Sequence, residues 1–431
     1  MKIMKKLVAV ASALAITTTM LTTTAFAASS SVFKPDRGRL NGKDRYETSL
    51  YTARITTGSH LNTYTNFYGT DNMEKYDVRR HLVKTTGKVT NALIIANGAT
   101  VVKNGKAQTG AASISDRTWS AATLAQAVKA PVVLIPNTTT STYSKILNSR
   151  TKLSDSEEAI KKQLMYISAI IDNNKSKNKT FTIYLLGNKT EIPEKITALL
   201  NKMCHNTTID YKRIEGSNKI DTNMKALSKA FTKIGGNKIT NLVICQSNSY
   251  QNLVTASNYH APIMLANSSG LTTEQINFLK NNIITKVTLV GPSFTSTAYN
   301  QILTNCKKNN SKVTIDSSTK SNYFTNIMAF DKAYTADQKT IKNTEPTALF
   351  AVNGDAPIDC ITTAATVAGT KHTFGVICTG NDDTVKKNFV NTYKNYKYGN
   401  KTNCDQLIKT RLDTIRKTIS VYNVGANKLY L

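Results

Sequence analysis

The sequence predicts an α/β protein made of three tandem repeats, each with a small parallel β-sheet flanked by helices. A short apolar strand that runs into a glycine occurs three times, at 183–187, 287–291 and 421–425. Between these phrases, continuous apolar strands alternate with helical segments, which is typical of βαβ units and of sheets buried on both faces. The period, on the order of a hundred residues, is too long for a solenoid, so each copy is expected to be a small domain.

Each repeat is expected to contain the same strands in the same order. The first strands are expected at 92–96, 242–245 and 348–352, and the second strands at 131–135, 262–265 and 374–377. Helices rich in small residues are expected between them, at 120–125 and 361–365, and a further helix is expected at 274–281. The strand–glycine phrase is interpreted as the closing strand of each repeat. In the longer first repeat, one more amphipathic helix is predicted from the helical spacing of Ile160, Leu164, Ile167 and Ile171.

The first 27 residues have the pattern of a secretory signal peptide. Three lysines precede an apolar run from Leu7 to Ile16, and Ala25–Ala27 forms a small-residue cleavage site. The apolar run is too short to span a bilayer permanently. The mature chain is therefore expected to begin near Ala28, to be secreted to the cell surface or wall, and to contain no transmembrane segment.

The charge is the second strong feature of the sequence. The formal net charge is +29, with 56 Lys and Arg residues against 27 Asp and Glu residues. A secreted protein with this balance is expected to meet a polyanion, such as nucleic acid, an anionic membrane or an anionic wall polymer. An A/T-rich coding bias would also enrich lysine and asparagine together, but it does not account for the scarcity of acidic residues.

The cysteines and histidines do not predict a disulfide scaffold or a metal site. The six cysteines show no CxxC spacing, and the five histidines are scattered, so no zinc site and no cofactor are expected. Cys245 and Cys378 end apolar strands and are interpreted as small buried residues. Disulfides among Cys204, Cys306 and Cys404 are left open.

The openings of the repeats set the predicted domain limits. Residues 39–48 and 213–222 share an arginine, an aliphatic residue, a glycine, a basic residue, an acid and a threonine without a gap. A third opening near 316–325 keeps only Lys320, Tyr323 and Thr325 and is degenerate. The predicted limits are a signal peptide at 1–27, a linker at 28–38, and repeats at 39–212, 213–312 and 313–431.

These openings, with Ala130–Leu134, Ala261–Leu265 and Gly354–Ile361, resemble the type-2 cell-wall-binding repeat of clostridial surface-layer-associated proteins. The resemblance implies that each repeat is a Rossmann- or Toprim-like unit and that the three pack about a pseudo-threefold axis. It also implies non-covalent attachment to the wall of a Gram-positive cell through an anionic secondary wall polysaccharide, with other surface-layer proteins as further partners. No separate effector domain is recognisable in the sequence.

Six basic residues are the predicted polymer-binding positions. They are Arg39, Lys43, Arg45, Arg117, Arg213 and Lys219. Basic side chains near helix N-termini favour phosphate or carboxylate groups. The alternatives are that Arg39 and Asp44 form a structural ion pair that holds the loop, and that Arg117 is an exposed loop residue. Trp119 is interpreted as a packing anchor rather than a sugar platform.

Three other function classes are alternatives to wall binding. A secreted polysaccharide-modifying enzyme would need paired carboxylates, and only Asp355 and Asp359 suggest such a pair, without a supporting constellation. No catalytic motif or phosphate-binding loop occurs, so the protein is not expected to be an enzyme. Nucleic-acid binding is not expected either, because the basic clusters lack interleaved aromatic residues. A surface adhesin is the remaining alternative.

Overall fold

The structure is a computed structural model that describes most of the chain from residue 92 to residue 424. The described residues are 92–99, 102–103, 106–107, 115–136, 140–148, 152–153, 157, 161, 164, 167–168, 171, 180–204, 207–233, 240–292, 294–306, 313–316, 322–340, 348–354, 357–378, 382–399 and 404–424. The predicted signal peptide, the linker and the opening of the first repeat, including Arg39, Lys43 and Arg45, lie outside the described residues.

Three parallel sheets of the same topology confirm the predicted fold class. In the first sheet, strands β1 (Ala92–Ala99), β4 (Val132–Pro136), β5 (Phe181–Leu186) and β6 (Ile209–Ile214) lie in the order β4-β1-β5-β6. In the second, β7 (Asn241–Gln246), β8 (Ile263–Ala266), β9 (Lys286–Val290) and β10 (Thr314–Asp316) lie in the order β8-β7-β9-β10. In the third, β11 (Ala348–Asn353), β12 (Thr373–Cys378) and β13 (Ser420–Val424) lie in the order β12-β11-β13. We refer to the surrounding segments as unit 1 (92–214), unit 2 (219–316) and unit 3 (322–424). A short hairpin, β2 (Val102–Lys103) and β3 (Lys106–Ala107), completes the described strands.

The strand–glycine phrase is the third strand of each sheet, and the prediction that it closes each repeat is wrong for units 1 and 2. Strand β6 pairs with β5 and β10 pairs with β9, so a fourth strand follows the phrase in both sheets. The predicted limits at 212/213 and 312/313 therefore fall within or just before strands that belong to the preceding sheet. The first two glycines have the backbone that the phrase predicts: φ is 140° at Gly187 and 129° at Gly291, a region that side chains disfavour. Gly425 lies outside the described residues.

The helices occupy the predicted positions between the strands. Those of unit 1 are a 3-10 helix at Asp116–Ser120, α1 (Ala121–Val128), α2 (Thr140–Leu147) and α3 (Lys195–Met203). Those of unit 2 are α4 (Lys219–Lys233), α5 (Tyr250–Ser257), α6 (Thr273–Asn281) and α7 (Ser296–Cys306). Those of unit 3 are α8 (Asn322–Asp337), α9 (Pro357–Gly369), α10 (Asp382–Tyr398) and α11 (Asp405–Thr418). In the predicted amphipathic segment, Leu164, Ile167 and Ile171 are helical and fully buried.

The three units meet in one hydrophobic core, which we call the shared core. Side chains alternate along the first strand of each sheet, because successive residues of a strand point to opposite faces. In β1, Ile94 and Ala96 face the shared core, while Leu93 and Ile95 belong to a core that unit 1 keeps for itself. Strands β7 and β11 divide their residues in the same way between the shared core and the separate cores of units 2 and 3. One shared core between three similar units agrees with the packing that the family resemblance implies.

Small residues allow the second helices of the units to approach closely in the shared core. Helix α1 contributes Ala121, Ala122 and Ala125, and all three are fully buried. A Cβ atom placed on Gly369, the last residue of α9, would lie 3.5 Å from the Cβ atom of Ala125. A Cβ atom on Gly375 of β12 would lie 2.8 Å from Cγ1 of Val254 in α5, closer than packed carbon atoms normally approach. The size of the residue at position 375 is therefore limited by unit 2, whereas Gly369 leaves room for an ordinary van der Waals contact.

Buried asparagines bind the second strands of units 2 and 3 to the helices around them. Asn223 of α4 accepts a hydrogen bond from the Leu265 backbone N–H at 2.8 Å and donates to Oγ1 of Thr123 in unit 1 at 2.8 Å. Asn326 of α8 accepts from the Ile377 N–H at 2.8 Å in the equivalent place. Because the Thr222-Asn223 and Thr325-Asn326 pairs correspond, the opening of the third repeat keeps the structural role of the second, although its sequence is degenerate.

A buried ionic network holds the outer helices of unit 3 together. Asp331 of α8 accepts hydrogen bonds from Tyr393, from Lys397 at 2.6 Å and from Arg411 at 3.0 Å. Burial by itself raises the pKa of this carboxyl, but the hydrogen bonds from Lys397, Tyr393 and Arg411 outweigh it and lower the pKa below its usual range. The network joins α8, α10 and α11, so it serves the packing of unit 3.

All six cysteines are free and buried, so no disulfide forms among Cys204, Cys306 and Cys404. The interpretation of Cys245 and Cys378 as buried strand residues is confirmed, and burial raises the pKa of Cys378 to about 12. Within the described residues, none of the helices combines the length and the apolar character that a membrane span requires.

We expect Asn223→Ala to destabilise the protein by about 1–3 kcal/mol. The substitution leaves the buried Leu265 N–H without its partner, and an unsatisfied buried group costs about 1–3 kcal/mol. The Thr123 hydroxyl keeps its hydrogen bond to the carbonyl oxygen of Ile263. Urea denaturation followed by circular dichroism measures the change. The exposed Asn281→Ala is the matched control, and a loss of comparable size in both variants would contradict the proposed role of Asn223.

Candidate functional site

An open cleft of 430 Å³ lies at the carboxyl edge of the first sheet, where unit 1 meets helix α4 of unit 2. The carboxyl ends of β5 and β6 meet at this edge because the two strands are parallel. Ligands of open α/β sheets commonly bind beyond the carboxyl ends of the strands. The lining residues are Lys189, Arg213, Ile214, Glu215, Lys225, Ser228 and Lys229. Four of the seven carry a positive charge and one carries a negative charge.

Of the three predicted polymer-binding residues that the structure describes, Arg213 lines the cleft. Its guanidinium donates to the carbonyl oxygen of Gly187 at 2.8 Å and to that of Ile192 at 2.9 Å. Burial lowers the pKa of Arg213, and the carboxylate of Glu215, 3.9 Å away, opposes the shift. The arginine therefore fixes the loop after β5 and leaves a partly exposed positive charge on the wall of the cleft.

The other cations of the cleft are exposed lysines with weakly held partners. Lys189 pairs with Glu194 at 2.7 Å, and Lys225 lies 3.4 Å from Asp221, one helical turn earlier. Exposed pairs of this kind contribute about 0–1 kcal/mol each, so an anionic ligand can displace them. Lys225 and Lys229 lie four residues apart on α4 and face the cleft together.

Arg117, a second predicted site residue, lies in the joint between units 1 and 2. Its guanidinium donates to the carbonyl oxygens of Gly216 at 2.7 Å and Ser217 at 3.0 Å, and to Oε1 of Glu191 at 2.7 Å. Glu191 also accepts a hydrogen bond from the Asn188 N–H in the loop after Gly187. The alternative of an exposed loop residue does not describe this side chain, which is only 17 % exposed. Its role in polymer binding stays a prediction.

Lys219, the remaining described site residue, lies in the same joint. Its ammonium group donates to the carbonyl oxygen of Ser247 at 2.5 Å and lies 4.6 Å from the centroid of the Trp119 ring, a cation–π distance. Trp119 packs against the shared core and meets Tyr250 edge to face, which agrees with its interpretation as a packing anchor. The contact with Trp119 joins unit 2 to unit 1, whereas the hydrogen bond to Ser247 lies within unit 2.

Arg117, Arg213 and Lys219 thus have different neighbours. Of these three residues, Arg213 faces the cleft, and the other cations there are lysines that are not among the predicted site residues. Lys225 and Lys229 lie at helical spacing on α4, a charge pattern that usually indicates a solvated surface. Their spacing alone does not distinguish a solvated face from a cleft wall.

The carboxylates that suggested a hydrolase do not form an accessible pair in the described residues. Asp359 is fully buried in the first turn of α9, and Asp355 lies outside the described residues. In the described part of the chain, no group of three or more His, Cys, Asp and Glu side chains is placed to hold a metal ion.

Comparison with solved structures finds proteins that align with this chain at low sequence identity. No protein-family model and no curated protein matches the chain. Cwp6 from Clostridium difficile aligns with a TM-score of 0.49 and 14% identity over 79% of this chain and 42% of that chain. Cwp8 from the same organism aligns with a TM-score of 0.49 and 14% identity over 85% of this chain and 48% of that chain. The chain spans less than half the length of these two proteins, and at this similarity no function follows from the likeness.

We expect Arg117→Gln to destabilise the protein by about 1–3 kcal/mol, because two carbonyl oxygens and Glu191 lose their charged donor. Thermal unfolding, repeated at a series of urea concentrations, measures the loss in the free energy of unfolding. Lys409→Gln removes the same charge from an exposed position of α11 and is expected to change stability by less than about 0.5 kcal/mol. Equal stability of the two variants would show that the Arg117 contacts do not hold the joint.

Proposed function

We propose that the protein is a secreted cell-surface protein that attaches non-covalently to the Gram-positive cell wall by binding an anionic wall polymer. The observation that supports this most directly is the cationic cleft formed by Arg213, Lys189, Lys225 and Lys229 at the carboxyl edge of the first sheet. A polymer carrying phosphate or carboxylate groups is the ligand class that such a cleft fits. The predicted signal peptide and the net charge of +29 point to the same setting.

Repetition strengthens this proposal because a polymer offers many copies of the same group. Three linked units that each bind weakly act on one polymer at a high effective concentration, so the whole chain binds far more tightly than one unit. The cationic cleft between units 1 and 2 is the proposed contact with the polymer. Catalytic activity is not part of the proposal.

Binding of the mature protein to purified cell walls should weaken steeply between low and high salt. The lysines of the cleft are exposed, and salt screens charges of this kind over about 8–10 Å near physiological ionic strength. Co-sedimentation with walls over a salt series measures the effect, and walls stripped chemically of their anionic polymer serve as the second substrate. Salt-independent binding would contradict the electrostatic mechanism, and undiminished binding to stripped walls would contradict the ligand class.

The double variant Lys225→Gln, Lys229→Gln should bind walls about 2- to 30-fold more weakly, since each exposed charge contact contributes up to about 1 kcal/mol. The matched control is Lys280→Gln, Lys409→Gln, which removes two exposed helical lysines away from the cleft. If both double variants lose affinity equally, overall charge rather than the cleft governs binding. Unchanged unfolding midpoints in both variants confirm that the comparison concerns binding alone.

A further inference from the structure

The chain leaves each of the first two sheets by a strand that belongs to that sheet, and it then forms the first helix of the next unit. Strand β6 pairs with β5 of unit 1 and leads through the second opening into α4 of unit 2. Strand β10 pairs with β9 of unit 2 and leads through the third opening into α8 of unit 3. We call each strand, opening and helix, at 209–233 and 314–337, a bridging segment. Both segments add a fourth strand to the sheet of the preceding unit.

The third sheet has three strands among the described residues, and its edge is the strand β13. This strand pairs with β11 on one side, from Ser420 opposite Ala348 to Val424 opposite Val352. It carries the third strand–glycine phrase, as β5 and β9 carry the first two. Within the part of the chain that the structure describes, no strand pairs with the other side of β13, where β6 and β10 lie in the first two sheets. An edge of this kind presents backbone N–H and C=O groups with which a further strand can pair.

Four side chains or side-chain positions fix the second opening against the sheet of unit 1. The Arg213 guanidinium donates to the carbonyl oxygen of Gly187, in the loop after β5, at 2.8 Å. Oγ1 of Thr222 accepts the backbone N–H of Gly216 at 3.0 Å, and Asp221 accepts the N–H of the residue after Gly216 at 2.7 Å. A Cβ atom on Gly216 would lie 2.3 Å from the backbone nitrogen of Thr222, so the turn requires glycine.

The opening of the first repeat has the residue types that these contacts need. Arg39, Gly42, Glu47 and Thr48 have the same spacing as the arginine, glycine, acid and threonine of the second opening. Because these residues join β6 to α4 in the second opening, their recurrence predicts that a strand precedes residue 41 and that it belongs to a sheet outside unit 1.

Residues 35–40 are the counterpart of β6 in front of the first opening. At the same spacing, Asp36 corresponds to Asp210 of β6, and the aliphatic Leu40 corresponds to Ile214. Pro35 corresponds to the first residue of the strand, where proline is tolerated. The two described bridging segments complete the sheets of units 1 and 2, so the third sheet is the one that this segment matches.

We propose that residues 35–40 bind along the outer side of β13 as a parallel fourth strand, so that an N-terminal bridging segment links unit 3 to unit 1. The three units are then joined in a ring, with one bridging segment at each of the three joints. The proposal concerns the folded body itself and does not rest on wall binding.

Chain length favours the protein's own segment over a strand from a second copy. About 50 residues separate residue 40 from β1, and a chain of this length spans up to about 150 Å, whereas a compact protein of this size has a radius of gyration of about 20 Å. The segment therefore reaches β13 without strain. Because it is part of the same chain, its effective concentration at β13 exceeds that of a separate molecule in dilute solution.

The register of the first sheet predicts the register of the new pair. Ile214 of β6 lies opposite Leu186, the residue before the phrase glycine. The residue before the third phrase glycine is Val424, so Leu40 is expected opposite Val424 and, three residues earlier, Arg37 opposite Val421.

Disulfide cross-linking tests this register in the mature chain. The double variant Arg37→Cys, Val421→Cys places two thiols opposite each other on neighbouring strands, within the Cα separation that a disulfide bridges. Mild oxidation should link most of the protein within one chain, as measured by non-reducing electrophoresis and by mass spectrometry of the linked peptides. The matched control is Arg37→Cys, Tyr422→Cys, because a shift of one residue turns the two side chains to opposite faces of the sheet. The control should cross-link about tenfold less.

Two single variants, Arg37→Cys and Val421→Cys, measure the background from the six native cysteines, which are all buried. Cross-linking of the in-register pair that does not exceed this background would overturn the proposal. A disulfide between two chains would overturn it as well, because β13 would then take the segment of a second copy.

A pair of deletions tests the same contact without altering β13. Removal of residues 28–40 from the mature chain should lower the midpoint of thermal unfolding by several degrees, because the third sheet loses its fourth strand. Removal of residues 28–34 spares that strand and should leave the midpoint unchanged. Equal midpoints for the two shortened chains would overturn the proposal.

Discussion

The shared core is the constraint on which the rest of the structure depends. The first strand of each sheet has two faces, and one of them packs into a core that its unit keeps for itself. The other face, represented by Ile94, Val243 and Phe350, lies in the shared core, to which helices of all three units contribute. Burial of apolar side chains contributes about 25 cal/mol per Å², so a unit separated from the other two would expose a large unfavourable surface. The three repeats therefore form one folded body.

Close packing in that core explains both the small residues and the polar contacts around it. Alanines in α1 and glycines at 369 and 375 let the helices approach closely, and this proximity brings backbone groups of one unit within reach of side chains from the next. Asn223 and Arg117 use that proximity to satisfy buried donors and acceptors across the joint between units 1 and 2. Polar contacts at the joint thus specify the orientation of units whose association the apolar core stabilises.

The same assembly distributes the positive charge unevenly. Some basic side chains, such as Arg117 and Lys219, are held by carbonyl oxygens and an aromatic ring inside the joint. Others, such as Lys225 and Lys229, face solvent in a cleft where neighbouring carboxylates compensate only part of the charge. Surface charge of one sign raises the local concentration of an oppositely charged ligand, so the exposed groups are the ones that a polyanion would meet first.

The sequence by itself determined the fold class, the first three strands of each sheet and the burial of residues such as Leu164 and Cys378, because apolar periodicity and glycine position are local properties of the chain. It also placed Arg213 at a candidate site, since basic residues near a turn are visible in sequence. Only the tertiary structure decided that Arg117 lies in a joint, that Lys229 lines a cleft and that the ring of His260 packs against Phe374. These outcomes depend on which surfaces of different units come together, and packing between residues far apart in sequence is set by the shape of the whole core.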